Sequence, residues 1–175
     1  MDENKVEQEK INQPISPVKG LMMVVAVALV VVIYLSITHY LGISEFWAGF
    51  LWLFYWAGVE QMSFDRIVDS IIGSTAGLLT AFLLHAFPQV FGTTGLILAL
   101  CLVVFLVYCL VMGWAKKLVN NATMLFLTVG TIPHLQADGD FPQMFSALFV
   151  GIVFFGGLLW LSGLVGKKLS KRNRL

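Results

Sequence analysis

The sequence predicts an all-α transmembrane protein, a six-helix bundle with a short second helix in each half. Two observations favour this fold class. Of the 175 residues, 58% are hydrophobic and 12% are charged, about half the charged fraction of an ordinary soluble domain. Long apolar stretches recur along the chain, and the basic residues all lie outside them. Much of the surface must therefore face lipid.

Six apolar segments follow one another: residues 20–40, 46–59, 67–87, 90–114, 118–132 and 144–165. A spanning helix needs about 20 apolar residues, and the second and fifth segments are shorter than that. Pro88 is predicted to end the third segment, because the residue before a proline is disfavoured in helical geometry.

Polar sequence flanks the predicted six-span domain, residues 19–166, at both ends. Residues 1–18 are predicted to be a mobile cytoplasmic tail, since Pro14 and Pro17 resist helix formation. They are not predicted to be a cleavable signal, because they are polar and the apolar run after them is longer than that of a signal peptide. Residues 167–175 are predicted to be a basic cytoplasmic tail.

The basic residues decide whether the two short segments cross. If all six segments cross and the N-terminus is cytoplasmic, all eleven Lys and Arg residues lie on the cytoplasmic side. If the short segments only re-enter the membrane, Arg66 moves to the outside. The positive-inside rule therefore favours six crossings, with both termini in the cytoplasm and the chain in a bacterial inner membrane. Re-entrant short segments are the alternative.

The order of segment lengths is repeated along the chain. Residues 19–88 read long, short, long, and so do residues 89–166. Three crossings per half is an odd number, so two similar halves would lie upside down relative to each other, as in the inverted repeats of transporters. The two halves share negligible sequence identity, so a coincidence of lengths in a six-helix bundle is the alternative.

Small residues mark one face of the third segment. Gly73, Gly77 and Ala81 are spaced four apart, a pattern that lets another helix approach closely. The partner helix is expected either in the same chain or in another protomer. We also expect the protein to form a homo-oligomer.

Two carboxylates are candidates for a solute path. Asp69 lies one turn into the third segment and Glu60 ends the second, and carboxylates within a membrane usually face a cavity or a partner. Alternatively, Asp69 stabilises the helix start with Arg66 as its ion partner, and Glu60 marks the membrane surface. Short, polar-flanked helices are typical of binding sites in inverted-repeat transporters. The further path candidates are Ser74, Asn120, Asn121 and Thr128.

Other classes of function are disfavoured. The chain has no Gly-rich phosphate loop and no Cys/His zinc spacing, so neither an enzyme nor a cofactor or metal site is predicted. His134, Asp138 and Asp140 are better explained by a turn before the last segment. The net charge of +1 argues against a nucleic-acid partner. The expected partners are the lipid bilayer and a small solute.

Three stretches, Phe46-Trp-Ala-Gly-Phe50, residues 69–79 and Gly139-Asp-Phe141, resemble the YcdZ-like family of small bacterial inner-membrane proteins, whose function is unknown. The resemblance extends in pattern over residues 20–165. Gly58-Val-Glu-Gln61 departs from the more Pro- and Gly-rich turn expected there, so no site residue is carried over. Residues 66–79 are also similar to the half-bundle of fusaric-acid-resistance and aromatic-acid exporter proteins, which implies efflux of small organic acids.

The sequence thus predicts a transporter or channel-like permease for a small solute. The alternative is a non-transporting membrane scaffold or accessory subunit that docks through the Gly73/Gly77 face.

Overall fold

The computed structural model describes residues 16–172, with side chains as far as residue 162. Within this range the chain folds into helices without strands, which confirms the all-α prediction. The described residues form six α-helices in chain order: α1 (Pro17–Tyr40), α2 (Trp47–Gly58), α3 (Ile67–Met112), α4 (Asn121–Gly130), α5 (Pro133–Asp138) and α6 (Phe141–Arg172). A 3₁₀ turn, Phe64–Arg66, leads into α3. Residues 1–15 of the predicted N-terminal tail and 173–175 of the C-terminal tail lie outside the described residues.

The chain divides into two compact units, residues 1–37 and 38–175. The described part of the first unit is most of α1. Pro17, predicted to resist helix formation, is instead the first residue of this helix; a proline is tolerated there because its missing N–H has no partner to lose. Leu21, Val24 and Val27 are each more than half exposed, as expected of an apolar helix that meets lipid.

The second unit contains α3, which breaks at Gly92. Its 46 residues would measure about 69 Å if straight, more than twice the roughly 30 Å hydrocarbon core of a bilayer. Gly92 has φ +58° and ψ −138°, a conformation that residues with a Cβ avoid. The chain turns back there, so that the Gly95 α-carbon lies against the Phe87 carbonyl. In a straight helix these residues would be about 12 Å apart.

The break replaces the predicted end of the third segment at Pro88. Helical geometry continues through Pro88. A proline removes only one helical hydrogen bond, whereas a reversal of the chain needs the positive φ that glycine supplies. The third and fourth predicted segments therefore form one assigned helix with two arms. We refer to residues 67–91 as the first arm and to residues 93–112 as the second arm.

α4 packs against the small-residue face of the first arm. A Cβ at Gly73 would overlap the Asn120 side chain, and a Cβ at Gly77 would overlap the α4 backbone. At the other end of the contact, Gly130 faces Ala81. A helix of the same chain thus fills the face of Gly73, Gly77 and Ala81, and this face is not free to dock a second protein.

α2 packs mainly against α6. A Cβ added at Gly151 of α6 would lie 2.5 Å from the Gly49 α-carbon, so the two backbones are in close contact and Gly151 does not accept a side chain. Trp52, Tyr55 and Trp56 of α2 are buried, with exposed fractions of 2% or less. These aromatic side chains are therefore packed inside the unit.

Within the part of the chain that the structure describes, three helical stretches are long and apolar enough to span a membrane: Pro17–Tyr40, Phe64–Met112 and Phe141–Ser162. This is consistent with a membrane protein. α2 has 12 residues and α4 has 10, which gives lengths of about 18 Å and 15 Å. Both are shorter than the hydrocarbon core of roughly 30 Å.

Candidate functional site

The end of α2, the loop after it, the start of α3 and the start of α4 meet at one end of the second unit. Tyr55, Glu60, Arg66, Asp69 and Asn120 are connected there by hydrogen bonds and ion pairs, and we refer to them as the Glu60–Asp69 cluster. Three of the predicted path residues are therefore brought together. Two carboxylates face one guanidinium, so the cluster has an excess of negative charge.

Glu60 is held by partners on two sides. The Tyr55 hydroxyl donates a hydrogen bond of 2.7 Å to Glu60 Oε1, and Arg66 Nε lies 3.4 Å from Glu60 Oε2. The Glu60 side chain is 13% exposed, and a carboxylate this far withdrawn from water needs such partners because desolvation of a charge is costly. The remaining exposure leaves the carboxylate accessible from this end of the unit.

The loop reaches this position through two residues in an unfavourable conformation. Gln61 and Met62 have φ of +49° and +56°, in the left-handed region that costs a non-glycine residue about 1–2 kcal/mol. Trp56 Nε1 donates to the Ser63 carbonyl at 3.0 Å, and the Met62 N–H donates to the Trp56 carbonyl at 2.9 Å. These bonds hold the loop over the end of α2. Nothing in the sequence signals the turn, since neither residue is Gly or Asn.

Asp69 connects the start of α3 to α4. Its Oδ2 lies 3.8 Å from Arg66 Nε, and its side chain is 26% exposed. Its backbone carbonyl accepts a hydrogen bond of 2.8 Å from Asn120 Nδ2. The carboxylate also lies in the first turn of α3, where the helix dipole favours negative charge. A role at the helix start and access to a solute are both compatible with this position.

Asn120 is the N-cap of α4. Its Oδ1 accepts from the Ala122 N–H at 2.9 Å and the Thr123 N–H at 3.3 Å. Thr123 Oγ1 accepts in return from the Asn120 N–H at 3.1 Å, which completes a capping box. Since Asn120 Nδ2 also binds Asp69, one amide side chain both starts α4 and fixes it against α3.

Ser74 lies deeper on the same face of α3. It is fully buried, and its hydroxyl donates to the Ser70 carbonyl at 2.6 Å. That bond lies within the helix, so Ser74 does not contact the Glu60–Asp69 cluster through it.

Two buried polar atoms have no hydrogen-bond partner among the described residues: Trp52 Nε1 and Ser70 Oγ. Their residues are 0% and 1% exposed. The Trp52 ring and the Ile67 side chain both border Gly156 of α6, at 3.9 and 3.7 Å from the place of an added Cβ, and Ser70 follows Ile67 by three residues. An unsatisfied buried polar group costs about 1–3 kcal/mol. Polar groups thus lie in the apolar interior beside the Glu60–Asp69 cluster.

Asn121 and Thr128 do not join this arrangement. Both are exposed, and the Thr128 hydroxyl donates to the Met124 carbonyl one turn earlier, at 2.7 Å. The period of α4 turns these two residues away from α3, whereas Asn120 and Thr123 face it. Asn121 and Thr128 therefore lie apart from the Glu60–Asp69 cluster, and their place on a solute path stays a prediction.

In the second polar stretch, residues 133–138 form α5 with Pro133 at its first position, and the turn predicted at Asp138-Gly139-Asp140 falls between the end of α5 and the start of α6. His134 Nδ1 lies 3.5 Å from Asp138 Oδ2, and both side chains are at least three-quarters exposed. Asp140 instead accepts from the Gln143 N–H at 3.1 Å at the start of α6. Within the described residues, no three His, Cys, Asp or Glu side chains come close enough to hold a metal.

His85 and Gln136 form a polar contact that the sequence did not reveal. His85 Nδ1 lies 2.7 Å from the Gln136 carbonyl; since a carbonyl can only accept, Nδ1 carries the proton. Gln136 Nε2 donates to the carbonyls of Ala81 and Gly130, at 3.1 and 2.6 Å. These bonds fasten the segment after α4 to the first arm. Their sequence separation, 51 residues for His85 and Gln136, leaves no local signal.

Comparisons with family models, with curated proteins and with solved structures find no match to this chain. The resemblance to the YcdZ-like family, and the weaker one to the exporter half-bundle, therefore stay predictions from short motifs.

Proposed function

We propose that this chain is a multi-pass bacterial inner-membrane protein that moves a small solute along a path between α2, the first arm of α3, α4 and α6. In this proposal α1, α2, the two arms, α4 and α6 provide six crossings, with both termini in the cytoplasm. Support comes from the three long apolar stretches and from the eleven basic residues, which all fall on one side in this topology.

The packing of the short helices supports an inverted repeat. If the two halves are equivalent, α2 corresponds to α4, and α6 corresponds to the first arm of α3. The α2–α6 pair is then equivalent to the pair of α4 with the first arm. Both pairs are formed, and both are made through glycines: Gly49 with Gly151, and Gly73 and Gly77 against α4. Equivalent contacts on both sides are expected of two halves related by a two-fold axis in the membrane plane.

The unpartnered Trp52 Nε1 and Ser70 Oγ carry the proposal of a solute path. Each is buried within the second unit, and in a lipid environment no outside water compensates such groups. A water or a polar solute that reached either atom would satisfy it. The accessible carboxylate of Glu60 would lie at the entrance of such a path.

The charge of the Glu60–Asp69 cluster indicates the class of solute. Two carboxylates share the single guanidinium of Arg66, and an excess of negative charge attracts cations and repels anions. A small solute that carries positive charge is therefore favoured over the organic acids that the exporter resemblance implies.

A thermal-shift screen of the purified full-length protein against organic amines, organic acids and metal ions tests the proposal. A solute at one hundred times its dissociation constant adds about 2.7 kcal/mol to stability. We expect a cationic solute to raise Tm, and Glu60→Gln and Asp69→Asn to lose that shift. Asp65→Asn is the matched control, because Asp65 is an exposed acid one turn before Asp69 and should keep the full shift.

Flux measurements in proteoliposomes complete the test. Asp69→Asn should fold and yet transport the identified solute more slowly than the parent protein and Asp65→Asn. If no amine, acid or metal ion raises Tm, the solute path is contradicted. A non-transporting accessory subunit would then be the better interpretation, although its predicted docking face is filled by α4.

A further inference from the structure

The second arm of α3 carries an apolar groove that no part of the second unit covers. The groove has a volume of about 540 Å³ and is lined by Ile97, Leu100, Cys101, Val104, Phe105 and Tyr108. These residues recur every three or four positions, so they form one face of the helix over about 17 Å. Cys101 is exposed and smaller than its neighbours in the groove. The small Cys101 side chain therefore leaves a dent in this helix face, and the apolar lining of the groove suits a hydrocarbon chain.

Aromatic and basic residues lie beyond one end of this groove. The helix ends at Met112, and Gly113 takes up a left-handed conformation with φ +67°. The chain then folds so that the Trp114 ring meets Tyr108 edge-on, with 5.6 Å between ring centroids. Tyr108 thus belongs both to the groove and to an aromatic pair of the kind found at membrane interfaces.

The Lys116 side chain folds back over the end of the same helix. Its Cε and Nζ lie 3.3 and 3.9 Å from the place of an added Cβ at Gly113. Lys116 and Lys117 are both exposed, and neither forms an ion pair with the described acids. Two ammonium groups without an ion pair among the described residues therefore follow directly on the end of the arm that carries the groove.

We propose that this surface binds one anionic phospholipid, with an acyl chain in the groove and the headgroup phosphate at Lys116 and Lys117. The site borders the Glu60–Asp69 cluster, since the Lys117 carbonyl accepts a hydrogen bond of 3.3 Å from Asn120 Nδ2. It does not depend on transport, but it rests on the proposed six-crossing topology. Basic residues at the cytoplasmic end of a spanning helix attract anionic headgroups. A second copy of the chain is a poorer occupant, since a two-fold contact along this face with parallel membrane orientation would bring the lysines of both copies together.

Native mass spectrometry in detergent tests whether the headgroup charge matters. The purified full-length protein is given phosphatidylglycerol or phosphatidylcholine with identical acyl chains, and the retained lipid is measured. We expect one phosphatidylglycerol to be retained more tightly than phosphatidylcholine. Since each lysine contributes a factor of about five near an anionic surface, Lys116→Gln/Lys117→Gln should weaken this binding on the order of 25-fold. Lys19→Gln, at the start of α1, should not. Equal retention of the two lipids, or an unchanged affinity of the double variant, would overturn the proposal.

A second pair of variants tests the groove. Cys101→Trp fills the dent, and Val111→Trp adds the same side chain at a residue of the same arm that is 78% exposed and does not line the groove. We expect Cys101→Trp to lose the retained phosphatidylglycerol and Val111→Trp to keep it, with Tm in mixed micelles showing that both variants fold. If Cys101→Trp instead converts a dimer to a monomer and leaves lipid retention unchanged, the groove is an interface between copies and the lipid proposal is wrong.

Discussion

Asn120 performs two tasks with one amide. Its Oδ1 caps α4, and its Nδ2 bonds to the Asp69 carbonyl of α3. We expect Asn120→Ala to lower the free energy of unfolding by about 2 kcal/mol, about 1 from the cap and about 1 from the bond between helices. Denaturant or thermal unfolding in detergent measures the loss. Asn121→Ala, at the exposed neighbouring position, should change stability by less than about 0.5 kcal/mol.

A further variant separates the two tasks. Asn120→Asp retains the capping oxygen but removes the amide donor, so its loss of stability should lie between those of Asn120→Ala and the parent protein. If Asn120→Ala and Asn121→Ala behave alike, the bonds of Asn120 do not stabilise the contact between α3 and α4.

Gly77 is a position where a single methyl group should be harmful. A Cβ there would overlap the Thr123 carbonyl and approach Phe126 Cβ. We expect Gly77→Ala to destabilise the protein by about 1–3 kcal/mol through overpacking. Gly157→Ala is the control, because no atom lies within 4 Å of the added Cβ, and replacing a helical glycine by alanine should add about 0.5–1 kcal/mol. Equal Tm shifts for the two variants would contradict a close contact at Gly77.

Residues of the Glu60–Asp69 cluster differ in how far the sequence foretold them. Glu60, Asp69 and Asn120 were predictable, because charged or amide side chains stand out in an apolar sequence. Tyr55 was not assigned to the path, since its bond to Glu60 depends on a turn that places Gln61 and Met62 in left-handed geometry. That Asn121 and Thr128 lie apart from the cluster was not predictable, because the polar residues of a short helix do not show which side faces a neighbour.

Among the helices, α3 provides the sharpest test of what reverses the chain. Gly92→Ala should cost about 1–3 kcal/mol, since alanine cannot adopt φ +58° and ψ −138° without strain. No atom lies within 4 Å of the added Cβ, so the loss would come from the backbone alone. Pro88→Ala should leave stability unchanged or raised, because helical geometry already runs through Pro88. Thermal unfolding of both variants measures the difference. A larger loss for Pro88→Ala would return the break to the proline.

The existence of the elements was easier to predict than their ends. Hydrophobic length identifies α1, α2 and α6, and a helix between residues 118 and 132 is present as α4. Pro88 misled the prediction because a proline limits only its local backbone, whereas the chain reverses at Gly92 through a positive φ. Pro133 begins α5 because a proline fits the first turn of a helix as readily as a loop.

For the whole molecule, the prediction that matters most concerns the side on which each short loop lies. With six crossings, a reporter fused after Met62 should be cytoplasmic and one fused after Asp138 should be periplasmic. Paired alkaline phosphatase and green fluorescent protein fusions measure this in cells. Two phosphatase-positive fusions would show that both α2 and α4 only re-enter, which the positive-inside rule disfavours.

The all-helical class was predicted from the long apolar stretches of a sequence with few charges. The pairing of α2 with α6 could not be predicted. Gly49 and Gly151 are about a hundred residues apart, and the sequence around each glycine does not indicate which helix it contacts. The same limit applies to the groove on the second arm, which depends on which faces of the helices the fold leaves uncovered.

The α2–α6 contact has a consequence for synthesis at the ribosome. Gly49 emerges early, but Gly151, against which its backbone rests, is translated near the end. Until then α2 lacks its main packing partner, and its tryptophan side chains are not yet buried against α6. A nascent chain that stalls before α6 should therefore be recognised and degraded as an orphan, even though the first arm and α4 have already joined.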